Sequence, residues 1–280
     1  MLHSFSACCS LFPKALLCGV IMAISCGVFG VFVLLHRVVF ISIALTECAA
    51  CGIAAAALWH VHPFTGAVSA CLLAVVFLSR DWDNSVLPRD AILGALYTGA
   101  AALSVLLVAH SGMGLLEVKA MLYGDLILAA DSDLWLLALV QIPVLSFGLL
   151  FLKPLVYTFL DRNAARLMGI PVKTVEFLFF LGLGLVVSAA GKTGGALLVF
   201  CLLVVPPAGA LLLSRRLSSV LFLSAILGVL ATLCGLTWSF HQDLPGNQCI
   251  VVVACALLAG IFLVKKLRLV WLHKFAEAVY

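Results

Sequence analysis

Residues 160–172 read LDRNAARLMGIPV, a short polar insert set between two long apolar runs. Its surroundings make it decisive: 65% of the 280 residues are hydrophobic and 10% are charged, whereas a water-soluble domain carries about 25% charge. Lipid is therefore the natural solvent of this chain, and its few polar connections must face water or a partner.

Working outward, the apolar runs predict spans over about 16–35, 39–59, 64–79, 91–109, 134–152, 174–190, 194–213, 218–239 and 248–264. The reading is an all-α polytopic helix bundle of about nine transmembrane helices, with eight as the alternative count. The first run, Leu16 to Leu35, continues directly into His36 and Arg37 without a small-residue cleavage site, so it reads as a retained span. The connection Gly191 to Thr193 is short enough to predict a tight hairpin. The whole chain, 1–280, is expected to form one transmembrane domain with a cytoplasmic segment at 154–172.

Charge placement supplies the orientation. With the N-terminus outside, thirteen of the 16 basic residues fall on the cytoplasmic side, and only Lys14, Lys119 and Lys192 fall outside. The C-terminus is then cytoplasmic. The formal charge of +4 is explained by this asymmetry, and no nucleic-acid partner is expected. Most of the eleven cysteines lie within spans as small hydrophobes. Ala44 to Ala57 and Ala91 to Ala102 are rich in alanine and glycine, which permits close helix approach in lipid.

Within the insert, Asp161 can complement the N-terminal end of a short helix running to Gly169, and Pro171 stops it. Ala165 and Gly169 are four apart and share a face almost free of side chain, suited to close docking against a partner. The alternative is an ordinary polar connection that happens to be helical.

Four stretches in order resemble the ABC-3 family, the permease subunits of bacterial ABC transporters for zinc, manganese and iron. Asp161, Ala165, Gly169 and Ile170 are similar to the family's cytoplasmic coupling segment. Residues 191–210, GKTGGALLVFCLLVVPPAGA, resemble its glycine-turn and Pro-Ala signature; residues 123–127, YGDLI, and 19–37 resemble two further segments. The resemblance implies a permease of the bacterial inner membrane that imports a divalent transition metal and binds no stable cofactor. It also implies cytoplasmic ATPase subunits that hydrolyse the ATP, an extracytoplasmic metal-binding protein and a second permease subunit, identical or related. Coupling to the ATPase would fall on Asp161, Ala165, Arg166 and Gly169. No Walker A pattern, GxxxxGK[ST], occurs in the chain, so it is not expected to be an enzyme.

Glu47, flanked by Thr46 and Cys48, is the acidic residue set well inside a span. A carboxylate there is costly unless paired, protonated or facing a wet cavity, which makes Thr46 and Glu47 the candidate translocation pathway. The resembling family has an Asp-Ala-Leu-Ser-His-like run at this place, whereas here Ile43 replaces the aspartate and Glu47 the histidine. His60, His62 and His110 lie on the expected external side and complete the candidate metal ligands with Glu47; scattered interfacial histidines are the competing reading. Two other functions share the composition: a secondary transporter driven by an ion gradient, and a membrane scaffold whose polar insert recruits a partner.

Overall fold

The structure, a computed structural model, describes residues 13–78, 88–110, 124, 126–160 and 162–279. These form ten α-helices and one 3₁₀ turn, with no strand among the described residues. The helices are α1 (Pro13–Leu35), α2 (Val39–Leu58), α3 (Pro63–Leu78), α4 (Arg89–His110), α5 (Asp131–Leu150), α6 (Leu152–Leu160), α7 (Arg162–Leu167), α8 (Val172–Leu213), α9 (Leu217–Gln242) and α10 (Gly246–Val279). The 3₁₀ turn is Leu126–Leu128.

Local sequence sets many of the ends. Pro13 and Pro63 open α1 and α3, where a missing N–H costs nothing and the fixed φ is already helical. Arg37, His60, Gly169 and Asp243 all carry positive φ just beyond helix ends. At Gly169 the amide of Ile170 donates to the Ala165 carbonyl and that of Gly169 to Arg166, both at 3.0 Å, a left-handed cap that satisfies the last carbonyls of α7.

Seven helices among the described residues are long and apolar enough to cross a membrane, and Pro63–Leu78 is an apolar helix of 16 residues. The expected spans 174–190 and 194–213 belong to one 42-residue element, α8, interrupted at Gly195 (φ 69°, ψ 167°). The break thus falls beyond the expected Gly191 to Thr193 turn. Its consequence is a reversal all the same. A side chain at Gly194 would strike Met22 of α1, Gly182 lies against Phe29, and Gly30 lies on the Leu203 carbonyl. Moving along α1 from Met22 to Gly30 therefore matches departure from Gly194 in both chain directions, so the two arms of α8 run back alongside each other.

Helix α1 forms the centre, enclosed by both arms of α8 and by α5 and α9. Helix α2 packs between α3 and α4 and joins this core through α8. The small residues expected to bring helices together do so at α2 and α3, where Gly52 and Gly66 each face the other's backbone carbonyl too closely to admit a Cβ. On α4 the glycines take no part, since a Cβ at Gly94 or Gly99 would meet nothing within 4 Å, while Ala100 is buried. The cysteines follow the expected pattern in part. Cys18, Cys26, Cys48, Cys71, Cys201 and Cys249 are buried as free thiols, while Cys234 and Cys255 are exposed; Cys8 and Cys9 lie outside the described residues.

Candidate translocation cavity and coupling segment

Glu47 projects from α2 at a cavity of about 250 Å³ formed with α4 and the second arm of α8. Thr46, Glu47, Tyr97 and Ser104 supply its polar lining, among Ile43, Ala101, Leu197 and Phe200. The hydroxyls of Thr46 and Ser104 donate to the Ile43 and Ala101 carbonyls, each at 2.7 Å, so both present an oxygen lone pair rather than a free proton. Glu47 is half-buried and has no ion-pair or hydrogen-bond partner among the described residues. A carboxylate beside a cavity in a membrane bundle, without a compensating cation among the described residues, is suited to receive one from outside.

The histidines do not join it. His60 lies just past the end of α2, thirteen residues beyond Glu47 and so about 20 Å away at the helical rise per residue, and is exposed with φ 54°. Its backbone closes α2, since Val61 N donates to the Ala56 carbonyl at 2.9 Å. His62 accepts a hydrogen bond at Nδ1 from Phe64 N, 3.3 Å away, at the start of α3. His110 is exposed in the last turn of α4. Among the described residues no group of three His, Cys, Asp or Glu side chains could hold a metal ion. The expected set of Glu47, His60, His62 and His110 is therefore not assembled in this structure, because Glu47 sits within the helix and the histidines at helix ends.

The segment 154–172 folds largely as α6 and α7, the polar insert itself forming α7. Asp161 lies outside the described residues. Ala165 is completely buried within the chain, whereas a Cβ at Gly169 would meet only open space. The expected face shared by Ala165 and Gly169 is thus divided: Ala165 seats α7 on the bundle, and Gly169 ends the helix. The outward surface is made by Arg166 with Leu167 and Met168, which are 90% and 61% exposed. Sequence reading passed over this Leu-Met pair, although two apolar residues in an otherwise polar insert were the available signal.

Arg162 donates to Glu176 Oε2 at 2.7 Å and so links α7 to the first turns of α8. Beneath it lies an aromatic cluster joining α1, α6 and α8. Ring centroids of His36 and Phe159 are 4.5 Å apart, those of Phe159 and Phe179 are 4.9 Å apart, and Phe32 contacts both phenylalanines. Aromatic contacts of this kind transmit displacement because they leave little free volume.

At the opposite end of the α8 arms a second polar node appears. Asn247 Nδ2 donates to the carbonyls of Gly124 and Gly194 at 3.0 Å each, and its Oδ1 accepts from Leu126 N at 3.4 Å. Gly124 has φ +61°, and a Cβ there would lie 2.5 Å from Gly195 N. Gly124, within the YGDLI stretch, therefore rests by its backbone on the hairpin tip. Lys192 Nζ meets Asp133 Oδ1 at 2.5 Å, and Lys14 meets Asp131 at 2.7 Å at the same end. Midway along α5, Gln141 is fully buried, accepting from Ser25 Oγ at 2.6 Å. Asn247 and Gln141 were legible only as polar letters in apolar runs.

A multi-pass membrane bundle with Glu47, unpaired among the described residues, beside an internal cavity and with a seated surface helix offering apolar side chains has the architecture of a translocation subunit. Comparison with known proteins agrees. The profile of the ABC 3 transport family matches residues 9–265, and the chain belongs to that family. Its role is that of the non-catalytic permease, at the inner membrane. It is 31% identical over 253 residues to a manganese transport system membrane protein, MntC, of Halalkalibacterium halodurans, covering 90% of this chain and 87% of that protein. It is 27% identical over 259 residues to the high-affinity zinc uptake system membrane protein ZnuB of Haemophilus influenzae, covering 92% and 98%. Among solved structures, PsaBC from Streptococcus pneumoniae in complex with Fab superposes with a TM-score of 0.85 at 25% identity, covering 94% of this chain and 95% of that one.

Proposed function

We propose that this chain is the permease of an ATP-driven importer for a divalent transition metal, with manganese or zinc as cargo. The observation that carries this reading to particular residues is the half-buried Glu47 carboxylate at a cavity between α2, α4 and α8. Its polar lining consists of oxygen atoms from Thr46, Glu47, Tyr97 and Ser104. Oxygen donors suit manganese better than they suit zinc, which favours nitrogen and sulfur. Ile43, which contributes no ligand atom, leaves Glu47 to carry the charge at this level of the pathway.

The reading takes nine crossings: the two arms of α8 counted separately, α3 as a short span, and the six remaining long helices. The N-terminus lies outside and α6 and α7 lie in the cytoplasm, which places most basic residues inside. The chain acts as a single permease domain whose segment 154–172 receives the ATPase subunits. Arg166, Leu167 and Met168 form the receiving surface, Gly169 fixes the turn and Ala165 seats the segment; the family resemblance adds Asp161 to the coupling residues. A push there passes through Arg162 and Glu176 and through the aromatic cluster into the first arm of α8. That arm ends at the Asn247 node, so closure of the ATPase can loosen or tighten the outer end of the bundle. A second permease subunit and an extracytoplasmic metal-binding protein complete the machine.

Transport in proteoliposomes tests this. The chain reconstituted with its ATPase and loaded binding protein should accumulate radiolabelled manganese or zinc in an ATP-dependent manner. Metal accumulation without ATP, or ATP-driven accumulation of neither metal, would overturn the reading.

A further inference from the structure

We propose that the groove between the end of α8 and α10 is a binding site for an anionic phospholipid. The groove encloses about 780 Å³ and is walled by apolar side chains that include Leu212, Leu257, Ile261 and Val264, with Lys265 and Arg268 at one end. From Val253 to Val264 the wall runs about 17 Å along α10 at the helical rise per residue, close to half of a ~30 Å hydrocarbon core. The length fits an acyl chain of one leaflet.

The charge at its mouth selects the headgroup. Lys265 Nζ donates to the Leu212 carbonyl at 2.8 Å, which anchors the ammonium at the groove and leaves two of its three N–H groups for another acceptor. Arg268 lines the same end, Arg215 and Arg216 follow Leu213 after the single residue Ser214, and Lys266 adjoins Lys265. Neither chain segment supplies a carboxylate: none occurs from Leu211 through Gln242, and none from Gly246 through Ala276. Basic pockets between membrane helices bind anionic headgroups by this combination of apolar wall and clustered charge. A second copy of the chain is the less suitable occupant, because a two-fold contact through this patch would bring five like charges against their own images.

Native mass spectrometry on the full chain with its ATPase subunits, in neutral detergent, tests the proposal with phosphatidylglycerol and phosphatidylcholine of identical acyl chains. Phosphatidylglycerol should be retained about tenfold more strongly, and Lys265→Gln with Arg268→Gln should bring the ratio near one. Gly260→Trp should displace the lipid by filling the groove. The position tolerates it, since a Cβ at Gly260 meets nothing within 4 Å, and the unfolding midpoint should match that of the parent. Equal retention of the two lipids by the parent protein would overturn the proposal. So would a preference unchanged in the double variant, or a Gly260→Trp protein that loses a subunit contact yet keeps its lipid.

Discussion

Asn247 Nδ2 donates to the Gly194 carbonyl at 3.0 Å and to that of Gly124 at the same distance. One amide thereby holds the start of α10, the tip of the α8 hairpin and the segment before the 3₁₀ turn. Asn247 is 3% exposed, so water cannot replace it. Asn247→Leu should lower stability by about 1–3 kcal/mol, the cost of leaving buried carbonyls unpaired. Denaturant titration in detergent measures this, and an unchanged midpoint would remove the node from the account of the outer end.

Glu47→Gln keeps the shape of the side chain and removes its charge. Because Glu47 has no partner of its own among the described residues, the substitution should leave subunit assembly intact. Uptake should fall about tenfold, equivalent to ~1.4 kcal/mol of lost interaction with the cation. Copurification and metal uptake are compared in the same preparation; parental uptake across manganese and zinc would exclude Glu47 from the pathway.

Leu167 and Met168 separate docking from folding. Both project from α7 into open space, at 90% and 61% exposure. Leu167→Asp with Met168→Asp should reduce retention of the ATPase at least tenfold while the bundle unfolds at its usual midpoint. Gly169→Val should reduce retention by a different route: its φ of 75° costs a branched side chain about 1–3 kcal/mol, which frays the end of α7. Gly169→Asn, which tolerates the left-handed region, should retain the ATPase.

His60 supports the sharpest contrast between a ligand and a structural residue. Its φ of 54° is costly for a side chain with a Cβ, so His60→Gly should raise stability by about 1 kcal/mol. Metal uptake should be unchanged, because His60 lies just past the end of α2, about 20 Å from Glu47. A large fall in uptake by this variant would restore His60 to the pathway.

How much of this was visible in the sequence depends on the range of the interaction. Composition alone determined that the chain lives in lipid, since apolar runs of span length cannot be buried in a soluble domain of this size. The order of short motifs pointed to the family, and the charge of Glu47 inside an apolar run marked it as costly wherever the helix packed. Tertiary structure decided the rest. It showed that Ala165 faces inward and that Leu167 and Met168 face outward, because helical spacing fixes which residues share a face but not which face meets the bundle. It moved the break in α8 to Gly195, where the backbone leaves the helical region. It separated Glu47 from the histidines and joined Asn247 to Gly124 and Gly194, residues far apart in the chain. Such contacts arise from the packing of distant helices, and in lipid that packing is set by shape and by a few polar bonds rather than by hydrophobic pattern.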